Sequence, residues 1–279
     1  MLEWCRTRET KLLMDEMFHS IFFLAKINIP PFSPEEIIPD KEMLQALLES
    51  YPKPVKHLSQ LPRRSPFSCV LDMVVLVTGQ QNEDQIKNQL QQFVQQLGGD
   101  TSKAFLSTTM CVSQIKGKDS VRHYGVSMST SGPVAGRIMV ATSCLQTWHK
   151  DVAGAVLSYD QRSKEMPLRS YFNGTIRLPQ NIRCEAYNIR DKKPKPPCKS
   201  CGNLFGFTNS EGKQWPYGNC AEVESLSKLL TTEAVQVQFQ KDNPGDREKA
   251  VEEVRTELKN LLSMIHHKWD GKFYVPQSI

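Results

Sequence analysis

The stretch Ser68-Cys69-Val70-Leu71-Asp72-Met73-Val74-Val75-Leu76-Val77 decides how the chain is laid out. It is a nearly continuous apolar run, and such a run suits a strand buried on both faces. A helix is expected next. Asn82 stands where it would cap, Gln85 at N3, and Ile86, Leu90, Phe93, Val94 and Leu97 keep helical period until Gly98-Gly99. Strand followed by helix reads as the opening of an α/β unit.

Downstream, residues 105–115, 121–128, 137–144 and 152–159 are strand candidates, and 129–136, with Gly132-Pro133 and Gly136, reads as a hairpin loop. A further extended stretch, 175–189, enters a connector, 190–197, whose Lys and Pro content marks it as exposed and stiff. Beyond the cysteine motifs come a short strand candidate, 235–239, and a terminal helix opening near Asp246 with a stripe of Val251, Val254, Leu258, Leu261 and Ile265.

Upstream, Leu13, Met14, Met17, Phe18, Ile21, Phe22 and Ala25 give residues 11–26 one apolar helical face. Ser33-Pro34-Glu35-Glu36 supplies an N-cap, a Pro at N1 and a Glu at N3, while Asp40 opens a helix that Pro52 and Pro54 stop. The expected organisation is a helical segment over 1–60, a zinc-binding α/β domain over 61–240, and a C-terminal helix over 241–279 that packs on it.

With 39% hydrophobic and 23% charged residues, the chain lacks the makeup of a disordered protein. Its 35 Lys and Arg against 30 Asp and Glu permit an anionic partner without demanding one. The apolar run Ile21 to Ala25 is too short for a membrane span or signal core, so the reading is a soluble intracellular protein, cytoplasmic or nuclear. In that compartment the 8 cysteines are thiols or metal ligands. Three catalytic signatures are absent: a phosphate-cradling Gly loop, a nucleophile elbow and a His-Glu-x-x-His helix.

Pro196-Pro197-Cys198-Lys199-Ser200-Cys201 places two thiols three residues apart where a helix can begin, and Cys220 precedes a second helical pattern of Val223, Leu226, Leu229 and Leu230. The positive end of a helix favours the thiolate that zinc requires. Cys198, Cys201 and Cys220 are therefore the expected ligands of one Zn2+. Three protein ligands leave a fourth position for water, as in catalytic sites, whereas a closed structural site would need another donor. Cys184, His266 and His267 are the competitors for that place. Glu222, at the first turn after Cys220, is placed to take a proton from a water on the metal, or simply to stabilise the helix end as Glu224 could.

Together, Cys220-Ala221-Glu222 and Pro197-Cys198-Lys199-Ser200-Cys201 resemble the two motifs of the zinc-dependent cytidine deaminase superfamily, in which a Cys or His followed by x-Glu supplies one ligand and the proton shuttle and Pro-Cys-x-x-Cys supplies two more. Here they stand in reversed order. The resemblance implies a deaminase-like three-layer α/β sandwich with rearranged connectivity, flanked by N-terminal and C-terminal helices. It also implies Glu222 as the catalytic residue of a hydrolytic deamination of a nucleobase, carried by a nucleotide or a single-stranded nucleic acid. The alternative is a non-catalytic zinc module that binds protein or nucleic acid, with Lys192, Lys193 and Lys195 as a basic rim.

Overall fold

The computed structural model describes residue 4 and residues 7–97, 104–117, 120–158, 176–208, 210, 212–235, 237 and 244–277, the backbone alone for 244–247. In order they form α1 (Arg8–Ile27), α2 (Pro34–Ile37), α3 (Lys41–Ser50), α4 (Pro52–Lys56), α5 (Pro66–Thr78), α6 (Glu83–Gln96), β1 (Thr109–Ile115), β2 (His123–Val126), α7 (Gly132–Gln146), α8 (Lys150–Ser158), β3 (Ile182–Asn188), β4 (Pro194–Lys195), α9 (Lys199–Phe205), α10 (Ala221–Thr232) and α11 (Pro244–Met264). None of the described helices is long and apolar enough to cross a membrane.

The run at Ser68 to Val77 is not a strand. It lies within α5, with Pro66 in its first turn and Gly79 at positive φ just past its end. Phe67, Cys69, Val70, Leu71, Met73 and Val74 are all buried, because α5 packs on α1, α6 and β2. A helix covered on most sides loses its apolar stripe and is indistinguishable by period from a doubly buried strand. Each such side chain contributes about 1.5–3 kcal/mol of burial, enough to override the β-propensity of the valines.

The same physics corrects two further strand expectations. Residues 137–144 belong to α7, buried from Ala135 to Cys144 except at Arg137, and the expected hairpin loop 129–136 becomes its approach and first turn. Residues 152–158 belong to α8, and Tyr159 lies outside the described residues. Val235 and Val237 lie in no strand, and residues 236, 238 and 239 are outside the described set, as are Gly98-Gly99. Two capping expectations hold, with Ser33 and Glu36 forming a reciprocal box and Asp40 accepting from the Met43 amide, whereas Asn82 stands at the N-cap of α6 but its side chain makes no capping bond and donates to the Thr78 carbonyl.

The sheet is antiparallel, in the order β2-β1-β3-β4. This is a mixed α/β arrangement around a small sheet. Met110, Val112, Tyr124, Val126 and Tyr187 share a core with Phe67 and Val70 of α5 and Ile86, Leu90 and Val94 of α6. Cys111, Ser113 and Gly125 belong to the other face, which α10 covers: Ser113 Oγ lies 2.8 Å from Ser225 Oγ. A Cβ at Gly125 would come 2.3 Å from the Ser225 amide and 2.4 Å from the Ala221 carbonyl, so only glycine lets α10 approach there. That approach fixes where the N-terminus of α10 stands.

Helix α1 opens on a Thr7/Thr10 capping box and is buried more widely than one apolar face. Glu16 pairs with Arg64 at 2.9 Å and Ser20 donates to the Arg64 carbonyl, while Glu16 Oε1 and His19 Nδ1 are buried without a hydrogen-bond partner. The C-terminal residues lie across it. Leu61 and Phe273 form a parallel bridge, Tyr274 donates to Asp15 at 2.6 Å, the Gln277 amide donates to the same oxygen, and the His19 ring stacks on Tyr274 at 3.8 Å. Helix α11 packs on α7 and α8 through Val254, Leu258 and Leu261, while Val251 is exposed.

Candidate metal centre

After the exposed 190–196 connector, the two prolines stiffen the chain into Cys198, which is the extended N-cap residue of α9 and carries Cys201 one turn further on. Gly206, in the left-handed region, ends α9 and turns the chain back. Buried Tyr217 then ties the return together, its hydroxyl accepting from Asn203 at 2.7 Å, while Ser200 Oγ donates to the Trp215 carbonyl. Gly218, at φ 91°, lies where a Cβ would meet Val140 at 2.6 Å. The next turn delivers Cys220 as the N-cap of α10.

Two helix N-termini thus converge through their capping cysteines. The sulfurs of Cys198, Cys201 and Cys220 lie within 4.8 Å of one another, Cys198 and Cys220 at 3.3 Å. Thiolates on one zinc with bonds of about 2.3 Å stand roughly 3.8 Å apart, so this donor set fits a soft divalent ion after small rotations. Neither cysteine makes a side-chain capping bond of the usual kind. The Cys198 sulfur is held down to about 2 as a thiolate, by the thiols of Cys201 and Cys220 and by the amides of Cys201 and Ser200. Those bonds to Cys198 push Cys201 and Cys220 up, with burial adding to both.

Glu222 is buried beside them, close to Cys201. Burial first, and then the Cys198 thiolate, push its carboxyl up to about 7, against the pull of its own amide, Cys201 and Lys195. Glu224, the other acid of that turn, faces elsewhere and accepts from Ser68, the Val126 amide and Lys228.

Among the described residues no fourth His, Cys, Asp or Glu joins the three sulfurs. Cys184 lies instead against Cys111 at 3.5 Å on the sheet, and His267 is buried edge-on against Phe23. The basic run is not one patch: Lys192 donates to Asn88, Lys193 pairs with Asp191 at 3.7 Å, and Lys195 donates to Thr109 at 2.8 Å. Lys195 is the member whose charge reaches Glu222, a long-range placement that no spacing rule reveals.

A cleft of about 380 Å³ opens beside the centre, lined by Met128, Thr130, Arg137, Trp215 and Asn219 among others. Asn219, the residue before Cys220, lines it, as does Trp215, whose carbonyl accepts from Ser200, but Cys198, Cys201, Cys220 and Glu222 are not among its lining residues. Of the aromatics between the motifs, Phe205 and Tyr217 are core, whereas Trp215 is half exposed. Compared with protein-family models, with curated proteins and with solved structures, the chain matches none.

Proposed function

We propose that the chain is a zinc-dependent hydrolase of the deaminase kind, acting on the amidine carbon of a nucleobase in a nucleotide or single strand. One observation carries the reading: three converging thiols have a buried carboxylate beside them and no fourth His, Cys, Asp or Glu donor among the described residues. Cys198, Cys201 and Cys220 would hold the zinc, which when bound supplies Lewis acidity and a more acidic water. Glu222 holds a proton at its carboxyl oxygen and passes it to the leaving nitrogen. The nearby cleft is within the size range of small-ligand sites, and Trp215 on its wall is half exposed, with the Lys213 ammonium 4.6 Å over its ring.

A non-catalytic zinc module is favoured by a different observation. Cys201 is fully buried, and the three thiols tie the connector, α9 and α10 together, as a structural clamp would.

Glu222→Gln separates the two. The enzyme reading expects zinc content and melting temperature close to wild type with deamination reduced at least about 100-fold, the usual scale of a lost general acid–base. The measurement is ammonia release from cytosine, adenine and guanine nucleosides, nucleotides and single strands. A zinc-loaded wild type that turns over none of them overturns the enzyme reading.

A further inference from the structure

A second cavity, of about 90 Å³, lies between the start of α5, the end of β2 and the outer face of α10. It is separate from the cysteines. Arg64, Ser65, Ser227, Lys228, Glu224 and Trp148 are among its lining residues. Its polar groups are unevenly matched. Glu224, the one acidic lining residue, already has both oxygens accepting, from Ser68, Lys228 and the Val126 amide. Donors remain over.

Ser65 is the N-cap residue of α5, is 3% exposed, and makes no capping bond with its hydroxyl; no hydrogen bond to that oxygen occurs among the described residues. Ser227 Oγ accepts from the His149 amide at 2.6 Å, which leaves its own proton to give. Lys228 uses two of its three ammonium protons, on Asp72 and Glu224. The 13-residue α5 begins here and adds the positive end of its dipole, although Pro66 has no amide hydrogen and the Ser68 amide donates to the Ser65 carbonyl at 3.1 Å.

We propose that this cavity binds a small oxyanion, a phosphate or carboxylate group, held by the Ser65 and Ser227 hydroxyls and the Lys228 ammonium at the N-terminus of α5. The size suits about four heavy atoms, since a cavity of roughly 150 Å³ admits the six of benzene. Arg64 and Lys228 stand against Glu224, Glu16 and Asp72 in the surrounding network, so the attraction comes from directed donors and not from net charge. Affinity is therefore expected in the millimolar range, on the order of 4 kcal/mol less favourable than a micromolar site.

The test titrates the whole protein with inorganic phosphate, and separately with acetate, at ionic strength held constant with sodium chloride. Tens of millimolar phosphate or acetate should raise the melting temperature by about 2–4 °C, the scale of a ligand present at some ten times its Kd in a chain of this size. The larger of the two shifts identifies which group the cavity prefers. Ser65→Ala should abolish the shift without lowering the starting melting temperature, because the hydroxyl it removes makes no cap bond. Lys228→Met should abolish it as well. A wild type unmoved by either anion, or a shift that survives in Ser65→Ala, overturns the proposal.

Discussion

Two buried polar clusters share α10, and they are built on opposite principles. At the N-cap, three thiols and one carboxylate lie together, all of them acids, with the Lys195 charge acting on Glu222. One turn along, Glu16, Arg64, Asp72, Lys228 and Glu224 alternate in sign, and each finds an opposite partner within 3 Å. A cluster of alternating sign is complete in itself, whereas a cluster of like groups is complete only when something positive joins it. This contrast marks the cysteine centre as a place for a cation, whereas the second network balances its own charges and leaves only spare donors beside it.

The largest effect should come from breaking the incomplete cluster. Cys220→Ala is expected to lower bound zinc from about one per chain to near none by metal analysis, because two thiolates cannot hold what three hold. Retention of a full equivalent would mean that the ion sits elsewhere.

Breaking the complete cluster should cost less and cost it differently. Arg64→Met strands Glu16, while Asp72 keeps Lys228, and urea unfolding at pH 7 should show a loss of about 3 kcal/mol with zinc content unchanged. Adding Glu16→Met and Asp72→Leu should restore part of that loss, since a network of apolar side chains carries no desolvation cost. No restoration would show that packing, not charge, holds this region.

His19 supplies an intermediate case, a buried group that must stay neutral. Burial holds its pKa down to about 4, and its Nδ1 has no hydrogen-bond partner. With an unfolded value of about 6.5, the unfolded chain binds more protons between pH 4 and 6.5, so stability falls as pH falls through that window. Between pH 7 and 5 this residue should account for roughly 2 kcal/mol, and His19→Phe should flatten the profile. Asp15 opposes the trend: burial raises its carboxyl, so acid favours the fold there. An unaltered profile in His19→Phe would assign the acid sensitivity elsewhere.

The smallest effect marks the baseline. The Asp191–Lys193 pair is exposed, and Asp191→Asn should shift stability by no more than about 0.5 kcal/mol. A larger change would mean that the connector before Cys198 is under more constraint than its exposure suggests.

What could be read beforehand follows the same division between local and distant causes. The caps at Ser33 and Asp40 and the placing of Cys198 and Cys220 at helix starts depend on neighbours in sequence, and all four stand as the residues suggest. Strands β1, β2 and β3 fall inside expected extended stretches. Helices α5, α7 and α8 were hidden because burial on several sides erases the period by which a helix is known. Asp72 was the available signal in α5: an acid inside a doubly buried strand would be stranded, whereas in α5 it reaches Arg64 and Lys228. The approach of Lys195 to Thr109 and Glu222, and the donor-rich cavity beside Ser65, join residues far apart in the chain, and no local pattern encodes them.

The segment laid across α1 has a consequence for how the chain is made. Asp15 leaves the ribosome 259 residues before its partner Tyr274. Throughout synthesis the nascent helix carries a carboxylate and an imidazole whose covering has not yet been translated. Closure of the N-terminal core is therefore delayed until the distal segment emerges, and pairings of such long range are slow to form. During that interval Phe23 lacks Leu258, Leu261 and His267, part of the cluster that buries it. A growing chain would then depend most on chaperone holding near its first helix, and a stop codon ahead of Trp269 would leave that dependence permanent.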